Sequence, residues 1–325
     1  FSMEQNSFIL APNAKVVIGH DLASGVFLPN PGISGSVTIA DGAIIDVSGM
    51  KAVARNVSDN SVRISPAKQN ELRDTPTYRS VRTDGGFTLN GQTLYVDARA
   101  SGLRDDGVVW VGSPLLEAAS AVSQIPVSAA ELMTKGGTIS IDVGAATGSG
   151  NLSAAAVSAV SIADGALFDI SGGWTTYAAG TVLTTQLLTA DGRVVAIDQA
   201  DPNDVFVSSC GGFTAGRPRF GIAQTFANSV LQGQQFEDAY DEGRDGGALQ
   251  IGGSLITFDA TVHANAFAGS RQLASALAPT AGSSIAGDPR LLQYSKNQLP
   301  SGGLFRIGSF SGSSGVGFGQ DIVVY

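Results

Sequence analysis

The sequence predicts an all-β protein whose short strands wind into a parallel solenoid, and three observations carry that expectation. Glycine supplies 42 of the 325 residues, against a usual share of ~7%, while the hydrophobic share of 43% is ordinary and sufficient for a core. Apolar and β-branched runs of about three to five residues are separated at short intervals by Gly, Asp, Asn and Ser. A thirteen-residue phrase also recurs within the chain. A sandwich needs about seven strands of five to six residues. A solenoid uses very short strands with a turn at each corner, which raises the glycine content throughout.

The repeated phrase reads V-T-I-A-D-G-A-I-I-D-V-S-G at residues 37–49 and V-S-I-A-D-G-A-L-F-D-I-S-G at residues 160–172. Its exchanges are only apolar for apolar or Thr for Ser. The unit is strand, tight turn, strand, because Gly accepts positive φ and Asp bonds to nearby backbone. A second turn follows at Ser48-Gly49 and at Ser171-Gly172-Gly173. A fainter copy is expected at Leu10-Ala11-Pro12-Asn13-Ala14-Lys15-Val16. Val37, Ile39, Val47 and one of Ile44 and Ile45 should face a continuous core, with Thr, Ser and Asp facing water.

The two copies lie 123 residues apart, so excursions must interrupt the winding. The expected organisation is one elongated segment over residues 1–325 with four excursions. The first, 51–82, holds 5 Arg and 2 Lys together with Pro66 and Pro76. The second, 114–135, has helix-forming composition, with Ser128 and Glu131 spaced as a capping box and Gly136-Gly137 as the stop. The third, 200–244, is rich in Phe and polar residues with few strand runs, and the fourth, 270–300, reads as a loop with one helical turn. Strand character returns at 248–258 and 302–310 and ends at Ile322-Val323-Val324.

Charge excludes one large class of partner. With 28 acidic against 19 basic residues and a net charge of -9, the chain repels phosphate backbones, and no Lys/Arg-rich run supplies the counterion release that nucleic-acid binding needs. The longest uncharged spans, Val143–Ala163 and Ile170–Ala190, are crowded with Gly, Ser and Thr, so no membrane span is expected. The lone Cys210 cannot form an intrachain bridge. The opening Phe1-Ser2-Met3-Glu4 has no basic or apolar leader pattern, and the chain is expected to be a fragment.

At this point the ordered phrases resemble a known family. The repeat at 37–49, then Glu71-Leu72-Arg73-Asp74, Tyr95-Val96-Asp97-Ala98-Arg99 and Ser101-Gly102-Leu103-Arg104-Asp105-Asp106-Gly107 are similar to the central shaft of filamentous haemagglutinin-like large exoproteins. So are Asp169-Ile170-Ser171-Gly172-Gly173-Trp174, Glu242-Gly243-Arg244-Asp245-Gly246-Gly247 and Gln298-Leu299-Pro300-Ser301-Gly302-Gly303. The resemblance covers almost the whole chain. It implies a right-handed parallel β-helix from a secreted bacterial cell-surface adhesin, exported by two-partner secretion through an outer-membrane transporter. The family's secretion domain is not visible, so this segment would be internal.

Several residues invite a site reading. Glu237, Asp238, Asp241, Glu242 and Asp245 place five carboxylates within nine residues, the oxygen chemistry that calcium takes. The spacing is not an EF-hand and Arg244 sits among them, which favours a solvated, ion-paired loop; calcium is the one cofactor worth testing. Trp110, Trp174, Tyr177 and Phe168 have the flat faces that stack on sugars, although Phe168 fits the core and Trp174 a strand edge better. His20 and His263 match no zinc-ligand or triad spacing and read as surface or turn residues. Cys210 reads as a small buried apolar residue.

The leading expectation is therefore a non-catalytic adhesive shaft. Its partners would be the transporter, a glycan or protein receptor, and other copies through open strand edges. The rival is a polysaccharide lyase or glycoside hydrolase on the same fold, which needs carboxylates or a basic residue converging on one face. Asp46 and Asp169 occupy equivalent repeat positions, which argues for a structural role.

Overall fold

The computed structural model describes residues 1–19, 35–65, 82–83, 89, 92–143, 159–210, 213–217, 222–226, 233–253, 255–273 and 299–308. The repeated phrase shows how the fold is generated. Gly42 and Gly165 sit at φ 70° and 80°, a region that costs other residues about 1–2 kcal/mol. Each therefore turns the chain sharply from one strand into the next. On either side of the turn the alternation predicted from sequence is realised: Val37, Ile39, Ile45 and Val47 are buried, and Ile44 is exposed.

The same alternation builds three sheets, each of four parallel strands. The first contains Ser2–Met3, Ser36–Ile39, Ala159–Ile162 and Leu255–Phe258. The second contains Phe8–Leu10, Ile44–Asp46, Leu167–Asp169 and Thr261–His263. The third contains Lys15–Gly19, Thr138–Asp142, Ala248–Gly252 and Leu304–Ile307. In sequence the chain visits the first, second and third sheets in turn, four times over.

Register explains why the phrase repeats. Val37 pairs with Val160, Ile39 with Ile162 and Asp46 with Asp169, so the two copies are neighbours in the first two sheets with like residues opposite. In the other ladders apolar residues also face apolar ones: Met3, Ile39, Ile162 and Phe258 in the first sheet, and Ile9, Ile45, Phe168 and Val262 in the second. One core cluster draws on all three sheets. Full burial of each such side chain contributes roughly 1.5–3 kcal/mol.

The third sheet carries a second repeat, too short to stand out in the sequence. Gly136-Gly137-Thr138-Ile139-Ser140-Ile141, Gly246-Gly247-Ala248-Leu249-Gln250-Ile251 and Gly302-Gly303-Leu304-Phe305-Arg306-Ile307 enter neighbouring strands in register. The fainter copy at the chain start needs correcting. Met3 pairs with Ile39 and Ile9 with Ile45, so the counterpart of the Asp-Gly turn is Gln5-Asn6, with Asn6 at φ 58°. Leu10–Val16 instead forms the next corner, between the second and third sheets. A short pattern of apolar residue, turn pair and apolar residue recurs at successive corners, and sequence similarity alone does not say which corner it marks.

Between Asp46 and Thr138, and again between Asp169 and Ala248, the chain leaves the three sheets. These excursions pack around a core of their own, with Leu94, Leu115, Leu187, Ile197 and Phe206 fully buried. Antiparallel pairs dominate here: Ser61–Ile64 with Leu94–Asp97, Ser101–Leu103 with Val109–Val111, and Gln186–Thr189 with Val194–Ala196 and Val205–Ser209. Trp174–Ala178 bridges two excursions, parallel to Val53–Asn56 and antiparallel to Tyr240–Gly243.

Two helices form within 114–135, at Ala119–Ser123 and Ala129–Leu132. The Ser128/Glu131 capping box is complete. Leu115 and Leu116 lie outside the helix, buried in the excursion core. Gly136-Gly137 marks the corner into the third sheet rather than the helix end. Region 200–244 holds more strand than expected, at Val205–Ser209, Phe213–Arg217, Ile222–Phe226, Gln234–Glu237 and Tyr240–Gly243. Exposed residues such as Gln234, Gln235 and Phe236 blur the apolar alternation that a sequence reading relies on. One helical turn, Ser270–Leu273, appears where expected. Glu71-Leu72-Arg73-Asp74 and Ile322-Val323-Val324 lie outside the described residues.

Candidate functional site

Each strand of the second sheet runs into a corner, and three successive corners lie against one another at residues 46–51, 169–174 and 263–267. The Asp of the repeat sets the local shape, since Asp46 Oδ1 accepts from the Ser48 N–H at 2.8 Å and Asp169 Oδ1 from the Ser171 N–H at 2.9 Å. Backbone bonds then lock the middle corner between its neighbours. Ile170 N–H donates to the His263 carbonyl at 2.8 Å, Gly172 N–H to Asn265 at 2.8 Å, and Trp174 N–H to Met50 at 3.1 Å. In the third corner His263 replaces the repeat's Asp in register.

Beside it lies a cleft of about 260 Å³, lined by Lys51, Asp169, Ser171, Trp174, His263, Asn265 and Phe267 among others. Trp174 packs on Phe267 with ring centroids 4.8 Å apart. His263 Nδ1 stands 3.9 Å from Asp169 Oδ2, beyond hydrogen-bond length. Lys51 is exposed and makes no ion pair among the described residues. A carboxylate, an imidazole, an ammonium, an amide and an aromatic wall thus converge on one rigid surface.

No family model, curated protein or solved structure matches the chain. The cleft has to be read from its own chemistry.

Sequence reasoning places Trp174 and His263 apart and weighs Asp169 only beside Asp46, its repeat equivalent. Only the offset between residues 169 and 263, read as one further turn of the repeat, could have joined them. Tyr177 needs correcting as a sugar contact. It is fully buried and stacked on Tyr240 at 4.7 Å, leaving no face for a ligand, and burial pushes its phenol pKa up. Phe168 is core, as expected. Trp110 lies over Gly102 and walls a separate cleft of about 210 Å³ with Arg104, Pro114 and Leu116.

The five carboxylates of the calcium reading do not form one cage, and among the described residues no group of three metal-ligating side chains is assembled. Glu237 pairs with Arg99 at 2.6 Å and Arg271 at 2.7 Å. Asp241 accepts from Thr176 Oγ1 at 2.6 Å, and buried Glu242 pairs with Arg244 at 2.6 Å. Asp245 accepts from the Ser301 N–H at 2.8 Å, while Asp238 is exposed. Strand alternation sends Asp241 and Glu242 to opposite faces. His20 lies outside the described residues, and Cys210 is half-buried, with burial pushing its thiol pKa up.

Arg99 organises the excursions. It is buried, and it holds Asp97 at 2.5 Å and Glu237 at 2.6 Å. Burial opposes its charge, but the hydrogen bonds it donates to Asp97 and Glu237 outweigh that and raise its pKa. Nearby Asp198 has a buried Oδ1 with no hydrogen-bond partner among the described residues. Burial, then Asp97, raise its pKa. A raised folded-state pKa gives stability that is present below the ordinary carboxylate pKa and is lost as pH rises through the folded value. Asp198→Asn is therefore expected to stabilise the protein by about 1 kcal/mol at pH 7, with the difference vanishing near pH 4. Urea midpoints at the two pH values check it; an equal gain at both would contradict the assignment.

Proposed function

We propose that this chain is part of a right-handed parallel β-helix serving as an adhesive shaft, a rod that displays or spaces binding regions on a bacterial surface. The observation that carries the reading is the in-register stacking of the repeat: three parallel sheets, each entered once per passage, with like residues opposite. Parallel crossovers of this kind are right-handed in about 98% of cases. The ordered phrases shared with filamentous haemagglutinin-like exoproteins support secretion through an outer-membrane transporter. The end strands of each sheet have one neighbour among the described residues, which supports association with further copies or further chain.

A cysteine pair tests the winding on which the shaft depends: Thr38 and Ser161 stand opposite on adjacent strands of the first sheet, so Thr38→Cys with Ser161→Cys is expected to form a disulfide on oxidation, and failure to cross-link overturns the reading. Adhesion of cells displaying the chain, compared with cells that do not, tests its role.

One observation favours a second reading. Asp169, His263 and Lys51 meet in one cleft, the carboxylate-plus-base convergence that a polysaccharide lyase or hydrolase needs. Incubation with pectin, alginate and xylan, with and without calcium, decides it. New reducing ends or unsaturated products that disappear in Asp169→Asn would establish the enzyme and remove the passive shaft.

A further inference from the structure

We propose that the cleft formed by Trp174, Phe267, Asp169, His263, Asn265 and Lys51 binds one neutral pyranose ring of a glycan. The inference deepens the adhesive reading by naming its receptor's chemistry, and it rests on that reading for its use.

Size sets the first limit. At about 260 Å³ the cleft falls just below the ~300–1,000 Å³ of most small-molecule sites, so it takes one ring rather than an extended chain. Its lining matches a sugar's two kinds of surface. The aromatic wall of Trp174, braced by Phe267, offers an apolar face to ring C–H groups. Around it stand a carboxylate acceptor, an ammonium donor and an amide able to do both.

The gap between Asp169 and His263 is the most specific feature. Their facing atoms are 3.9 Å apart, too far to bond directly, but a ligand hydroxyl can lie about 2.8 Å from both. The carboxylate is pre-oriented, because its other oxygen is already held by Ser171 N–H, and the surrounding backbone bonds fix the corner. Little freedom is lost on binding. Charge favours a neutral ring over an anionic one: Lys51, which makes no ion pair among the described residues, stands against Asp169 in the cleft and a net charge of -9 overall, which disfavours uronate or sulfated chains.

The repeat supplies an internal control. Asp46 occupies the position equivalent to Asp169 and makes the same turn bond, yet it does not line the cleft. The test is calorimetric titration of the whole chain with cellohexaose, a β-1,4-galacto-oligosaccharide and xylohexaose, against oligogalacturonate and a heparin fragment. Binding of at least one neutral oligosaccharide is expected, weaker by tenfold or more in Trp174→Ala and Asp169→Asn and unchanged in Asp46→Asn. Lys51→Gln, an exposed change that leaves the fold intact, is expected to weaken binding about threefold. The proposal is overturned if no neutral oligosaccharide binds at millimolar concentration, if the anionic ligands bind more tightly, or if Lys51→Gln and Asp169→Asn both bind like the wild type. The Thr38→Cys, Ser161→Cys pair separates outcomes: a chain that cross-links but binds no sugar removes the cleft assignment alone, and one that binds without cross-linking removes the stacked shaft alone.

Discussion

Replacing Gly247 with alanine is expected to destabilise the protein by about 3 kcal/mol, the upper end of the usual cost of crowding a packed interior. A Cβ there would lie 1.8 Å from the Gly137 carbonyl oxygen, and that oxygen accepts from the Ala248 N–H at 3.0 Å. On the other side, the Gly247 carbonyl accepts from Leu304 N–H at 2.8 Å. The added methyl therefore forces apart backbones that hold three neighbouring strands of the third sheet. Gly247 has no positive φ, so the effect is crowding alone. Gly192→Ala is the matching control, because Gly192 has φ +88° and nothing within 4 Å of the added atom. That variant should lose only ~1 kcal/mol. Guanidinium denaturation of both, with amide exchange at Ala248 and Leu304, checks the pair; similar losses in the two variants would contradict the stacking argument.

Arg99→Met is expected to cost about 3–5 kcal/mol, as for other buried ion pairs broken on one side. The guanidinium is 3% exposed and donates from Nε to Asp97 Oδ1 at 2.8 Å and from Nη2 to Glu237 Oε1 at 2.7 Å. Its loss strands Asp97 beside Asp198, while Glu237 retains Arg271. The double variant Arg99→Met with Asp97→Asn should therefore recover at least half of the loss. Equilibrium unfolding reads both. A single-variant loss under 1 kcal/mol, or no recovery in the double, would mean that the excursions are held by their apolar core alone.

These two positions show what a sequence can and cannot reveal about such a chain. Gly247 is readable as a turn glycine, but its role as a point of backbone contact depends on Gly137, 110 residues earlier. Arg99 belongs to a recognisable phrase, yet its partner Glu237 stands 138 residues away and, read along the chain, groups with its sequence neighbours as a calcium ligand. Tyr177 looks like a sugar contact because aromatic character is local, whereas its burial against Tyr240 is not. The pairing of Trp174, Asp169 and His263 is hidden for the same reason.

The sequence by itself determined the all-β class, the Asp-Gly turns, the alternation that buries Val37 and Ile39, and the capping box at Ser128, because each depends on φ/ψ preference and side-chain periodicity over a few residues. The tertiary structure alone decided which corner lies against which, where the excursions find their own core, which charges neutralise one another, and that His263, Asp169 and Trp174 line one cleft. Those outcomes arise from contacts between residues far apart in the chain, whose free energy exists only once the strands have stacked.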